Sequence, residues 1–214
     1  MLFKGGIIAS CQPRKGGYME PCVWRMAGEA IAGGAVALRI EGLANIARVS
    51  EFSSVPIIGL VKTLECGTTH ITRYCDTAKE IMDAGATYVA ADARGKYGYD
   101  ELFKMINSGF PVIGDISTAE EAILAEDAGC IAVTTALAGY TERCQAHEFD
   151  PPDIELVRKC SVVLTIRVIA EGRYFTNEQV REAYDAGAYA VCIGGAITLP
   201  DKITRRFAEV QANV

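Results

Sequence analysis

Lys62 closes the apolar run Pro56-Ile57-Ile58-Gly59-Leu60-Val61, and Glu171 closes another in Val168-Ile169-Ala170 before Gly172-Arg173. A lysine at the mouth of a buried strand has two fates. It either snorkels its ammonium into water or is desolvated enough to act as a base or nucleophile. On its own the first fate is the ordinary one; a carboxylate facing the same cavity favours the second, because the two groups can then relay protons without a metal. Farther along, Gly194-Gly195-Ala196-Ile197-Thr198 follows an apolar run and exposes backbone N–H groups where an extra helix could begin. Bare N–H donors at a helix start suit an anion such as phosphate, and Arg173 adds a cation to that reading, although a glycine pair is equally at home in a plain turn.

What must position these groups is a repeated unit. A helix-like run ends in Ala32-Gly33-Gly34-Ala35, Ala84-Gly85-Ala86, Ala128-Gly129-Cys130 and Ala186-Gly187-Ala188, each time with a strand-like apolar run directly after it. Glycine there ends a helix in the left-handed conformation that a Cβ resists, and a short continuous apolar run reads as a strand buried on both faces. The pattern predicts strands near 6–10, 35–40, 56–61, 87–92, 111–116, 130–135, the second half of 162–170, and 189–194. Helical patterns fall between and after them, around 21–32, 42–52, 75–84, 99–108, 118–128, 152–160, 177–186 and 200–210. Ser117-Thr118 ahead of Glu120-Glu121, and Thr176 ahead of Glu178, mark two helix starts. Eight alternating units favour a closed (β/α)8 TIM barrel forming one catalytic domain over residues 1–214. An open doubly wound sheet would need fewer strands and usually a glycine-rich turn after the first, which is absent.

In such a barrel the chemistry gathers at the C-terminal ends of the strands. Those ends are Gln12, Arg39, Lys62, Asp92, Asp115, Thr134 with Thr135, Glu171 with Arg173, and Gly194 with Gly195. Polar groups from one strand would mean little, but five or six strands delivering them to one rim is how a barrel assembles an active site.

Composition excludes several other classes. A net charge of −6, from 21 basic and 27 acidic side chains, disfavours a general nucleic-acid or acidic-membrane surface. No signal-peptide pattern and no membrane-length apolar stretch occurs, so a cytoplasmic protein is expected. The eight cysteines contain no C-x-x-C; Cys130 and Cys192 read as small buried hydrophobes, and Cys11, though just past the first strand, lacks an activating neighbour in sequence. The only two histidines, His70 and His147, lie outside predicted strand ends, which argues against a metal site, and no cofactor is implied. Arg14-Lys15-Gly16-Gly17 reads as a solvated loop or a lid. In the last helix, Ile203, Phe207 and Val210 form an apolar stripe expected to pack on the barrel or else on a partner.

The blocks IIASCQ, GGAVALRIEG, PIIGLVK, GDIST, TTALAGYT, VIAEGR and GAYAVCIGGAITLPDKITRRF, with the Asp92-Ala93 pair, resemble the N-acylglucosamine-6-phosphate 2-epimerase family in the same order over essentially the whole chain. The resemblance implies a TIM barrel that interconverts N-acetylmannosamine 6-phosphate and N-acetylglucosamine 6-phosphate in sialic acid catabolism, with no metal or cofactor, and as a homodimer. By position it makes Lys62 and Glu171 catalytic. It places the sugar against Gln12, Arg39 and Asp115, and the phosphate against Arg173, Gly194 and Gly195. Lys62-Thr63-Leu64-Glu65 and Ile71-Thr72-Arg73-Tyr74 depart from the family's pattern, so loop 63–74 is where the N-acyl preference would differ. Three rivals frame the tests: a class I aldolase using Lys62 as a Schiff-base nucleophile, a metal-dependent epimerase, and a phosphosugar sensor that binds without exchange at C2.

Overall fold

A computed structural model describes residues 2–12, 16–65, 67–95, 99–141, 144–147 and 150–211, with the side chains of Cys144, Val210 and Gln211 left out. Arg14 and Lys15 of the proposed lid, and Cys66, lie outside the described residues. In chain order the strands are β1 (Ile7–Cys11), β2 (Ala37–Glu41), β3 (Ile57–Leu60), β4 (Lys62–Glu65), β5 (Thr68–Ile71), β6 (Tyr88–Asp92), β7 (Val112–Asp115), β8 (Ala132–Thr134), β9 (Tyr140–Thr141), β10 (Cys144–Gln145), β11 (Arg167–Glu171) and β12 (Ala190–Ile193). Eight of them, β1, β2, β3, β6, β7, β8, β11 and β12, close in that order into a parallel barrel in which β12 pairs back onto β1. The helices are α1 (Val23–Ala32), α2 (Leu43–Ser50), α3 (Cys75–Asp83), α4 (Tyr99–Asn107), α5 (Ala119–Ala128), α6 (Ile154–Val163), α7 (Asn177–Asp185) and α8 (Pro200–Gln211). One connects each pair of neighbouring barrel strands and α8 follows the last, as the eight repeated units predict.

The local reasons match the sequence. Gly34, Gly85, Gly129 and Gly187 take φ of 96°, 98°, 102° and 98°, so each joint turns the chain from helix to strand in the conformation that needs glycine. Thr118 and Glu121 close a reciprocal capping box at the start of α5, and Thr176 with Gln179 does the same for α7.

Strand alternation divides the buried side chains into two layers. Outward residues such as Ala9, Leu38, Ile40, Val89, Val112, Val133 and Val191 pack under the helices. Inward residues Ile8, Ala37, Ile58, Leu60, Tyr88, Ala90, Ile113, Ala132, Ile169, Ala190 and Cys192 fill the barrel itself. Two residues farther along the same inward rows stand Ser10, Arg39, Lys62, Asp92, Asp115, Thr134 and Glu171. The change from apolar to polar along one row is what opens a site at this end and leaves a solid core at the other.

Two hairpins depart from the expected pattern. β4 pairs antiparallel with β5, and β9 with β10, where loops were expected. Their strands are short and largely polar, Lys-Thr-Leu-Glu against Thr-Thr-His-Ile in the first, so no apolar run announces them. Lys62 therefore opens a hairpin, in register with Ile71, and does not end β3. Of the stripe on α8, Ile203 is half-buried while Phe207 is 73% exposed and so does not pack on the barrel, and the Val210 side chain lies outside the described residues. Cys11, Cys130, Cys160 and Cys192 are buried free thiols; burial pushes Cys11 up to about 12, which leaves no thiolate for nucleophilic work near neutrality.

Candidate active site

Arg39 of β2 reaches across the barrel interior to Asp115 of β7. Its Nη1 and Nη2 donate to the two carboxylate oxygens at 3.1 and 2.5 Å, and both side chains are almost wholly buried. Burial works against the arginine's charge, but Asp115 and Glu171 more than offset it and hold the guanidinium above its ordinary value. Burial likewise pushes the Asp115 carboxyl up, to about 6, against the opposing pull of Arg39. Near neutrality the pair is ionised, so a fixed positive group stands at the floor of the site.

Glu171 ends β11 beside this pair. Its Oε1 lies 3.4 Å from Arg39 Nε, outside hydrogen-bonding geometry, which leaves that buried N–H without an acceptor in the protein. Its Oε2 accepts from the Thr134 hydroxyl at 3.0 Å. Thr135 fixes the backbone of the same residue twice: its hydroxyl donates to Glu171 O at 2.8 Å and accepts from Glu171 N–H at 2.9 Å. The end of β8 thus sets the position of Glu171, while the carboxylate keeps one oxygen toward Arg39.

Lys62 is 37% exposed, with Nζ 3.7 Å from Glu41 Oε2. Gln12 follows β1 and donates from Nε2 to Ser10 Oγ at 2.7 Å. Arg173 takes a left-handed φ of 62°, and its guanidinium donates to Ala138 O at 2.7 Å and Pro151 O at 3.2 Å, over the ring of Tyr140. Gly139 makes this passage possible, since a Cβ there would stand 2.3 Å from Arg173 Nη1. Beyond β12, Gly194 and Gly195 begin a turn that Thr198 ties to β1, its hydroxyl donating to Ser10 O at 2.7 Å.

Two cavities meet here. The larger, about 1010 Å³, is lined by Arg39, Asp115, Arg94 and Tyr99 together with Thr68 and Thr69 of the first hairpin. The smaller, about 230 Å³, is lined by Ser10, Arg173, Gly194, Gly195 and Lys202. Gln12, Lys62 and Glu171 line both, so they form the seam between a roomy chamber and a small one. The residues picked out for sugar, phosphate and proton transfer therefore sort by place: Arg39 and Asp115 in the large chamber, Arg173, Gly194 and Gly195 in the small one, Lys62, Glu171 and Gln12 between them.

The model of the family described as "Putative N-acetylmannosamine-6-phosphate epimerase" matches residues 23–213. This chain belongs to that family. Among the epimerase family's members, the protein named "Putative N-acetylmannosamine-6-phosphate 2-epimerase" from Caldanaerobacter subterraneus is 39% identical over 95% of this chain and 90% of its own. The protein of the same name from Clostridium perfringens is 34% identical over 98% of both. The solved N-acetylmannosamine-6-phosphate 2-epimerase of Clostridium perfringens superposes with a TM-score of 0.87 at 33% identity, covering 97% of this chain and 93% of that one. A thiamine phosphate pyrophosphorylase from Pyrococcus furiosus, at 15% identity and a TM-score of 0.62, shares the fold alone.

Strand-end reasoning missed several lining groups. Asp92, on the predicted rim, is engaged by Arg94, whose Nε donates to it at 2.9 Å and whose Nη2 donates to Thr69 O at 2.9 Å. Arg94 thereby ties the first hairpin to β6 and lines the large chamber in its partner's place; its position two residues beyond Asp92 was the available signal. His70 is buried, with Nδ1 3.5 Å from Asp92 and Nε2 3.1 Å from Arg73 Nη1, and belongs to this network. Among the described residues, no three or more His, Cys, Asp or Glu side chains gather as a metal-ligand set, and no helix is long and apolar enough to cross a membrane.

Proposed function

We propose that this chain interconverts N-acetylmannosamine 6-phosphate and N-acetylglucosamine 6-phosphate by moving a proton at C2, with no metal in the reaction. The observation that carries the reading is the seam: Lys62 and Glu171, both able to hold or release a proton, line the junction of the two cavities. A phosphate seated in the small chamber leaves the sugar extending past that junction into the large one. The two sugars differ only in configuration at C2. In the ring-opened form the C2 proton is α to the C1 aldehyde, so its loss gives an enolate-like species whose charge falls on oxygen. The ionised Arg39, with an N–H that has no acceptor in the protein, is suited to stabilise that charge. Lys62 and Glu171 take the proton from one face and return one to the other, and Gln12 and Asp115 orient the oxygens. Binding energy from the phosphate, remote from C2, holds the carbon in place throughout.

The same reading makes residues 1–214 one catalytic unit of cytoplasmic amino-sugar and sialic acid breakdown. It also implies a homodimer; the exposed Phe207 on α8 supports a contact there, and light scattering on the purified protein tests it. The decisive experiment is proton NMR of EDTA-treated protein with N-acetylmannosamine 6-phosphate in D2O, beside Lys62→Met. The expected result is the glucosamine epimer carrying deuterium at C2, lost in the variant. Absence of both epimer and exchange would overturn the reading, and covalent trapping of the substrate by borohydride would replace it with Schiff-base chemistry.

A further inference from the structure

The small chamber carries more positive charge than its glycine turn requires. Its lining holds Lys62, Arg173 and Lys202 against a single carboxylate, Glu171, which sits at the seam. These three cations are differently placed. Lys62 stands at the seam, 3.7 Å from Glu41, at the reacting end. Arg173 is fixed by two backbone carbonyls and by the ring of Tyr140, so its plane forms part of the wall. Lys202 rises from the first turn of α8, and its stem crosses Gly195 closely: a Cβ on that glycine would stand 3.2 Å from Lys202 Cδ. Among the described residues the N–H of Gly195 has no protein acceptor, so a backbone donor and a lysine stem share one wall of a chamber about 230 Å³ in volume.

We propose that Lys202 is a phosphate-binding, specificity-determining residue, which delivers its ammonium across Gly195 to the dianion of a phosphosugar seated in the small chamber. A lysine suits this work, because its charge is compact and its four-carbon stem lets it follow an anion that enters and leaves. Gly195 is then glycine for two reasons, to offer its N–H and to let the lysine stem pass. The inference rests on the phosphosugar reading above, and its test separates the two.

Isothermal titration of the intact protein with inorganic phosphate, and KM for N-acetylmannosamine 6-phosphate, are measured for the parent chain, Lys202→Met and Lys202→Arg. In Lys202→Met the phosphate Kd and the KM rise together by about tenfold to a hundredfold, the worth of one charge-assisted hydrogen bond, with a much smaller change in kcat. Lys202→Arg keeps both within about threefold of the parent, since the charge is retained. Unchanged phosphate affinity in Lys202→Met, equal losses in both variants, or no phosphate binding by the parent would each overturn the assignment. Phosphate binding that depends on Lys202 in a protein without epimerase activity would uphold it while the functional reading fails.

Discussion

The buried Arg39–Asp115 pair predicts an asymmetry between its two halves. In Arg39→Met the Asp115 carboxylate stays fully buried, and the charged neighbours left to it, Glu171 and Asp92, repel it. Stranding a buried charge in this way costs about 3–5 kcal/mol of folding stability near pH 8. In Asp115→Asn the arginine keeps Glu171 at 3.4 Å, so the cost is smaller, about 2 kcal/mol. Replacing both, as Arg39→Met with Asp115→Leu, costs less than Arg39→Met alone, because no charge is stranded. The pH dependence follows from the raised carboxyl. Asp115 sits at about 6 in the folded chain against an ordinary 3.8, so the folded state binds the proton more tightly. Its contribution to stability is complete below about pH 4 and is lost as pH rises toward 6, a change of about 3 kcal/mol for this group. Without Arg39 the folded carboxyl rises further and the loss continues to higher pH. Urea unfolding at pH 5 and pH 8 should therefore show a small gap between Arg39→Met and the parent at pH 5 and a wide one at pH 8. A gap independent of pH, or an Asp115→Asn as costly as Arg39→Met, would refute the reasoning.

Other expectations are simpler. Lys62→Met lowers kcat by about 10²–10⁴ with little change in Tm, since the side chain is partly exposed and its ion pair is loose; a kcat within tenfold of the parent would remove Lys62 from proton transfer. Thr134→Val deletes the hydroxyl that holds Glu171 Oε2, so kcat falls about tenfold or more while stability drops by about 1 kcal/mol, as steady-state kinetics and thermal melts would show. Gly59→Ala in β3 places a Cβ 2.5 Å from Ile81 Cγ2 and 2.9 Å from Ala86 Cβ, and overpacking there lowers stability by about 1–3 kcal/mol or more in denaturant titration. Thr118→Ala removes the α5 cap and costs about 1 kcal/mol, read in the same assay.

The barrel was legible because its signals are local. Each αL glycine joint and each apolar run reports on a few neighbouring residues, and eight of them in register leave little choice of topology. The site was legible only as a set of strand ends. That Arg39 and Asp115, 76 positions apart, form one buried pair depends on barrel closure, which no window of sequence contains. The hairpin that begins at Lys62 was hidden because its strands are short and largely polar, and the burial of His70 and Ile71 at its end comes from the barrel it folds onto, not from an apolar run of its own. Lys202 was hidden for another reason: it comes from a helix, and a search of strand ends does not visit helices. Phe207 shows the converse limit, since an apolar stripe tells that a face wants cover but not whose surface supplies it.

Closure of the barrel also has a consequence in time. Gly194 and Gly195 leave the ribosome long after Ser10 and Gln12, yet together they wall the small chamber, and Thr198 is latched to Ser10 O across 188 positions. The small chamber is therefore a property of the closed ring, absent until β12 has been made and has paired with β1, and its formation carries the loop-closure entropy of that long-range pairing. A bound anion would act on that step, favouring the joined seam over an opened one. Substrate would then slow the excursions in which β1 and β12 part, and deuterium exchange at the amides of those two strands is where its presence should register most strongly.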